Sequence, residues 1–339
     1  MAKKIIFRAD GNAENGLGHL YRLFSLVEIL KDHYDFVYIT KEDTEHSVIP
    51  KNYNLRIIPN YIRISEEALW LSKIYSAENH IVIADGYQFT SNYQKDIKSK
   101  GYTLIYIDDL VSEYMYADVV INHSPNINQS DYNCEAYTDF ALGTSYALLR
   151  PVFLNLAKQN RNVKKIDTAF VCFGGTDTFD LTFKATRALL GMNHFGKINV
   201  VLGASYQHKE IYNLKEASSD KLEIHKDLSA EALAKVMQQC HFAISPASTI
   251  LYELACVKMP ILSGFYVNNQ KLIYQGFSSR DAIFKGGNMI NYQESDFREL
   301  INSIYNQGQY EEQIKAQQIM FDNQIASRHL KIIEKLCGK

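Results

Sequence analysis

The sequence predicts an α/β fold of two consecutive parallel-sheet domains of similar size facing one another across a cleft. Its 339 residues exceed one ordinary hydrophobic core and suit two. Short apolar runs alternate with amphipathic stretches, the βαβ rhythm of a parallel sheet covered on both faces. That rhythm stops at a polar stretch, residues 158–165, and then restarts. The boundary placed there gives domains 1–160 and 161–339. The closing helical run, 310–336, is expected to be able to cross back onto the first domain.

In the first domain strands are predicted over 4–8, 36–40, 55–59, 80–85, 103–108 and 118–122, each rich in Ile, Val, Leu, Phe, Tyr or Thr. Apolar positions at helical spacing predict helices over 20–31, 66–78 and 91–100. The segment 132–156 has no clear period, and its Arg150-Pro151 step breaks regular structure. The second domain repeats the pattern, with strands over 168–173, 197–202, 222–225, 242–245, 259–263 and 288–290. Its helices are predicted over 181–190, 230–239, 250–257 and 269–277.

Composition narrows the function classes. The formal net charge of -2, with no long Lys/Arg block, argues against a nucleic-acid partner. No apolar run approaches the ~18 residues of a membrane helix, and the start Met-Ala-Lys-Lys does not read as a signal peptide. Five widely spaced cysteines without a CxxC pair suit a reducing cytoplasm and offer no zinc knuckle. A cytoplasmic enzyme acting on small molecules is the expectation.

The segment Arg8-Ala-Asp-Gly-Asn-Ala-Glu-Asn-Gly-Leu-Gly-His-Leu-Tyr-Arg22 follows the first strand and enters the first helix. It places His19 at a helix start, at the mouth of a parallel sheet. There the helix dipole favours a neutral imidazole, the form that accepts a proton. A histidine that merely caps its loop or touches a phosphate is the plainer alternative. Gly16 and Gly18 allow close approach to the main chain.

Phe173-Gly-Gly-Thr-Asp177 marks the first strand-to-helix turn of the second domain, where Gly174, Gly175 and Thr176 can present N–H and hydroxyl donors to a diphosphate. A tight turn with an Asp or Thr cap is the alternative. Ser245-Pro-Ala-Ser-Thr-Ile-Leu-Tyr-Glu253 repeats the arrangement. Ser248 or Thr249 would cap the helix and offer N–H groups, and Glu253 would accept from ribose hydroxyls. An ordinary cap followed by a solvated Glu is the alternative. Tyr87, after Asp85-Gly86, sits where a strand-end side chain reaches a ligand. The pair Asp108-Asp109 is read as loop-forming or helix-capping, since there is no DxD motif and no histidine cluster of ligand spacing.

These motifs occur in one order, with Ala147-Leu-Leu-Arg150 and Tyr266-Val-Asn-Asn-Gln270 among them. Together they make the chain resemble the UDP-2,4-diacetamido-2,4,6-trideoxy-β-L-altropyranose hydrolases of pseudaminic acid biosynthesis, over roughly residues 4–285. The resemblance implies two Rossmann-like domains in a glycosyltransferase-B architecture. It implies metal-independent, inverting hydrolysis of the anomeric C–O bond, releasing UDP, with no cofactor. His19 would activate water. Gly18, Arg22, Tyr87, Asn269 and Gln270 would line the sugar. Gly174, Gly175, Thr176, Leu228, Ser248, Thr249 and Glu253 would hold UDP, with residues 225–228 near the uracil. The partner implied is a small-molecule UDP-sugar, with neither nucleic acid nor membrane. An inverting glycosyltransferase of the same fold, a hydrolase of a different nucleotide amino-sugar, and a non-catalytic sugar-nucleotide binder are the alternatives.

Overall fold

The computed structural model describes residues 3–12, 16–203 and 205–338. It forms two compact units, one of Met1–Pro151 with Gln324–Lys339 and the other Val152–Asn323. The first holds a parallel sheet of β1 (Lys4–Ala9), β2 (Phe36–Lys41), β3 (Leu55–Ile58), β4 (His80–Asp85), β5 (Thr103–Ile107), β6 (Val119–Asn122) and β7 (Asp139–Leu142). Helices α1 (Gly18–Leu30), α2 (Glu67–Ile74) and α3 (Ser91–Ser99) connect its strands. The strand order is β3-β2-β1-β4-β5-β6-β7. The direction of winding therefore reverses between β1 and β4, whose carboxyl ends flank the crevice where open α/β sheets bind ligands.

Ile5, Ile6, Phe7 and Ala9 of β1 are all buried, as a central strand covered on both faces requires. The six strands predicted in this half are present. The seventh, β7, lies in the segment without a clear period. It is a four-residue edge strand paired only with β6, too short for alternation to register.

The second unit opens with α4 (Pro151–Ala157), whose first residue falls in the first unit. A second parallel sheet follows: β8 (Thr168–Val171), α5 (Leu181–Leu190), β9 (Lys197–Leu202), α6 (Glu210–Ala217) and β10 (Leu222–Lys226). It continues with α7 (Ala230–Gln238), β11 (Phe242–Pro246), α8 (Thr249–Val257), β12 (Ile261–Phe265), α9 (Lys271–Ser278) and β13 (Phe284–Asn288), then α10 (Glu294–Gln307) and α11 (Glu311–Met320). The order β10-β9-β8-β11-β12-β13 reproduces the reversal, here between β8 and β11. The last strand lies four residues earlier than its predicted start at 288. It contains Gly286 and Gly287, which weaken the apolar signal.

The polar stretch read as a linker is anchored inside the second unit. Val163 and Ile166 join its core. The buried ammonium of Lys258 donates to the carbonyls of Ala157, at 2.5 Å, and Gln159, closing the end of α4. Cys172, Cys240 and Cys256 are buried free thiols.

The closing helical run divides at Phe321–Gln324. Its second half, α12 (Ile325–Leu336), belongs to the first unit and packs on α1. His329 of α12 is buried beside the Tyr146 ring, and burial pushes its imidazole down to about 4. The unfolded chain, titrating near ~6.5, takes the proton first as pH falls. Stability from the neutral ring is therefore complete above that range and is lost as pH falls toward the folded value. At pH 5 the loss is about 2 kcal/mol. Urea midpoints at pH 7 and pH 5 should show a smaller drop for His329→Leu than for the parent protein. Equal drops would exclude His329 as the source.

Candidate functional site

In the first unit the site is built at the reversal point of the sheet. Asp10 and Gly11 follow β1, and a Cβ on Gly11 would lie 2.9 Å from the Gly16 carbonyl and the Leu20 side chain, so the loop closes tightly there. Gly16 takes φ +77°, a region that favours glycine. Residues 13–15 of the motif lie outside the described residues. His19 is the second residue of α1, as the sequence predicts.

Its Nδ1 lies 2.7 Å from Asp85 Oδ1, at the end of β4. Burial pushes the Asp85 carboxyl up, but the Arg22 charge, with hydrogen bonds from Arg22 and His19, holds it below the ordinary carboxylate range. An ionised carboxylate only accepts, so Nδ1 of a neutral His19 carries the proton and Nε2 keeps its lone pair. Tyr87 stands edge-on to the imidazole at 4.5 Å between ring centroids. Its hydroxyl donates to Asp109 Oδ2 at 3.4 Å. Burial and Asp109 push that phenol up to about 12.

Arg22, expected at the sugar, is turned into this cluster. Its Nε and Nη2 donate to the two Asp85 oxygens at 2.7 and 2.6 Å, and Nη1 donates to Asp109 Oδ2 at 2.6 Å. Asp109 is therefore an ion-pair partner and not a loop cap. Asp108 does shape its loop, accepting from Val111 N at 3.0 Å. His123, after β6, accepts from Leu148 N at 3.1 Å through Nδ1. Burial, with the Arg22 charge, pushes it down to about 3. Gly18, at the first position of α1, would meet nothing with an added Cβ within the described residues.

A second charged layer supports the loop. Arg8, fully buried on β1, donates through Nε to Glu67 Oε1 at 2.6 Å and through Nη2 to Asp10 Oδ2 at 2.7 Å. Tyr93 donates to Glu67 Oε1 at 2.9 Å, and Asp10 also accepts from Lys41 N at 2.7 Å. The start of the His19 loop is thereby tied to β2 and α2. Asp85, Asp109, His123 and Glu67 were not among the site residues read from sequence. One signal for the acids is His19 and Arg22 at i, i+3 on one helix face, where a buried arginine needs a carboxylate.

The second unit places its two glycine- and serine-bearing loops at its own reversal point. Gly174 has φ +83°, and Gly175 and Thr176 are exposed. A Cβ on Gly203 would lie 2.4 Å from the Gly174 carbonyl, so two strand-end loops meet main chain to main chain. The N-terminus of α5, expected to be open to a diphosphate, is filled by the protein itself. The buried Asp177 carboxylate accepts from Leu181 N at 2.9 Å and Thr182 N at 2.7 Å. The capped-turn alternative is the one found at that helix.

The start of α8 differs. Ser248 is its N-cap residue, yet its hydroxyl makes no capping bond, contrary to expectation. Thr249 is exposed, and Glu253 is buried and not solvated. Leu228 is half-buried between β10 and α7. Asn269 is exposed, whereas Gln270 is buried and accepts from Tyr266 N at 3.0 Å, shaping its own loop. Tyr266 in turn donates to the Phe173 carbonyl at 2.9 Å. Among the described residues no group of three or more His, Cys, Asp or Glu is placed to hold a metal ion, and no helix is long and apolar enough to cross a membrane.

No family model matches the chain. An uncharacterized protein of Methanocaldococcus jannaschii, MJ1062, is 26% identical over 332 residues, covering 89% of this chain and 67% of the relative. The UDP-2,4-diacetamido-2,4,6-trideoxy-β-L-altropyranose hydrolase of Campylobacter jejuni is 27% identical over 277 residues, 79% of this chain and 93% of that one. The spore coat polysaccharide biosynthesis protein SpsG of Bacillus subtilis is 24% identical, covering 81% and 80%. Among solved structures, Acinetobacter baumannii MurG matches 98% of this chain and 99% of its own, with TM-score 0.66 and 13% identity. Arabidopsis thaliana UGT89C1 matches 99% and 100%, with TM-score 0.70 and 8% identity. These likenesses show the fold, two Rossmann-like domains in the glycosyltransferase-B architecture.

Proposed function

We propose that this protein is a UDP-sugar hydrolase. His19 takes a proton from water as the water attacks the anomeric carbon, and the sugar C–O bond breaks with inversion to release UDP. The observation that carries this reading is the His19–Asp85 contact of 2.7 Å at the reversal point of the first sheet. An imidazole bonded through Nδ1 to a buried carboxylate has Nε2 available as a general base. Negative charge gathers on the departing diphosphate, and main-chain N–H groups stabilise it without a cation. The start of α8, left without a side-chain cap, is assigned to the diphosphate in preference to α5. Gly174, Gly175 and Thr176 extend that anion site. Glu253 is assigned to the ribose and Leu228 to the uracil side.

Tyr87 and Asn269 are assigned to the sugar, with Gly18 giving main-chain access. Arg22 is withdrawn from direct contact because its guanidinium serves the protein, whereas Gln270, engaged through Oε1, stays assigned to the sugar through its amide nitrogen. The identity with the Campylobacter jejuni hydrolase supports a 2,4-diacetamido-trideoxy sugar as substrate, in nonulosonate-type surface-sugar biosynthesis. The second reading, an inverting glycosyltransferase, is favoured by the likeness to MurG and UGT89C1. There the same base would deprotonate an acceptor hydroxyl.

Incubation with the UDP-sugar in oxygen-18 water, with chelator and no acceptor, separates these readings. The expected result is UDP release with label in the sugar. Label in the phosphate would sink anomeric attack, and UDP release only after addition of an acceptor would favour the transferase.

A further inference from the structure

Arg22 lies one turn beyond His19 on the same face of α1. Its guanidinium holds both oxygens of Asp85 and one of Asp109, and Nη2 sits 3.1 Å from His19 Nδ1. The groups facing this cluster include the phenols of Tyr38 on β2 and Tyr106 on β5, both close enough to interact with Asp85. Arg22 comes from α1, Asp85 and Tyr87 from the end of β4, and Asp109 from the segment after β5. His123, after β6, is held neutral by burial and the Arg22 charge. A histidine paired with a buried carboxylate tends to collect a proton, because the carboxylate stabilises imidazolium. A protonated ring cannot act as a base. The guanidinium is permanently charged and opposes that uptake, both by neutralising Asp85 and by repelling a proton on the ring.

We infer that Arg22 is a positioning residue whose guanidinium opposes uptake of an extra proton by the His19–Asp85 pair, so that His19 can work as a base. This rests on the hydrolase reading for its use, but not for its measurement. The pair takes up its proton as a unit, so the acidic limb of kcat/KM against pH reports on it.

Arg22→Gln should move that limb to higher pH by about two to three units, the scale of one charge about 4–6 Å away at an effective dielectric constant near 20. Asp109→Asn, which leaves the guanidinium less compensated, should move it to lower pH. Diethylpyrocarbonate gives a readout that needs no turnover, since it attacks only unprotonated imidazole. Mapped by mass spectrometry at pH 6.5, carbethoxylation of His19 should be slower in Arg22→Gln and no slower in Asp109→Asn than in the parent. Coincident limbs, or equal His19 labelling in Arg22→Gln and the parent, overturn the inference. Should Arg22→Gln fail to fold, a limb in Asp109→Asn that stays put or rises also overturns it. If the parent protein releases no UDP, the hydrolase reading falls, and His19 labelling decides the role of Arg22 by itself.

Discussion

His19→Ala should slow UDP release by about 10²–10⁴-fold, the range supplied by a positioned general base, and leave the Kd for UDP unchanged. Both halves of this expectation come from the placement of the residues. His19 and its partners Asp85, Arg22 and Tyr87 belong to the first unit. The groups assigned to UDP, including the start of α8, belong to the second. Steady-state release assays with calorimetric UDP titration check both. A variant that keeps its rate would remove His19 from the role of base. A folded variant that loses UDP affinity would place the nucleotide against the wrong unit.

Arg8→Met should destabilise the protein by about 3–5 kcal/mol, the cost of removing one partner from a buried ion pair. The change strands Glu67, which is fully buried, and strips Asp10 of its strongest contact. The double variant Arg8→Met/Glu67→Leu should recover part of the loss, because the unpaired carboxylate is removed with its partner. Urea unfolding of the two variants measures this. A single variant within about 1 kcal/mol of the parent, far below the range for buried pairs, would show that the cluster is solvated in practice.

The strands were legible wherever apolar runs were long. β1, β4 and β5 are central strands, and their sequences read as such without help from the structure. β7 was not, because four edge residues carry no period. The closing helical run, 310–336, is two helices, and nothing in its apolar spacing marks the break at Phe321–Gln324. His19 was legible because a glycine-bearing loop between a strand and a helix has a local signature. Its partners were not. Asp85 lies 66 residues from His19 and Asp109 lies 87 from Arg22, and only strand order brings them together. The assignment of Arg22 to the sugar came from motif position alone, which cannot show that a guanidinium is already engaged. Likewise the helix start after Phe173-Gly-Gly-Thr-Asp177 looks open to an anion until the Asp177 carboxylate is seen on the N–H groups of Leu181 and Thr182.

The two loops that meet at Gly203 carry a consequence for how the protein tolerates change. The groups proposed to carry the chemistry in the first unit are side chains, so one codon change removes any of them. The groups proposed for the diphosphate in the second unit are main-chain N–H groups, present whatever residue is encoded, and most substitutions there would leave those donors in place. The exceptions are changes that add bulk. One methyl group at Gly203 would collide with the backbone of Gly174 and Gly175. On the proposed assignment, substitutions that add no bulk should be better tolerated in the second unit's strand-end loops than around His19.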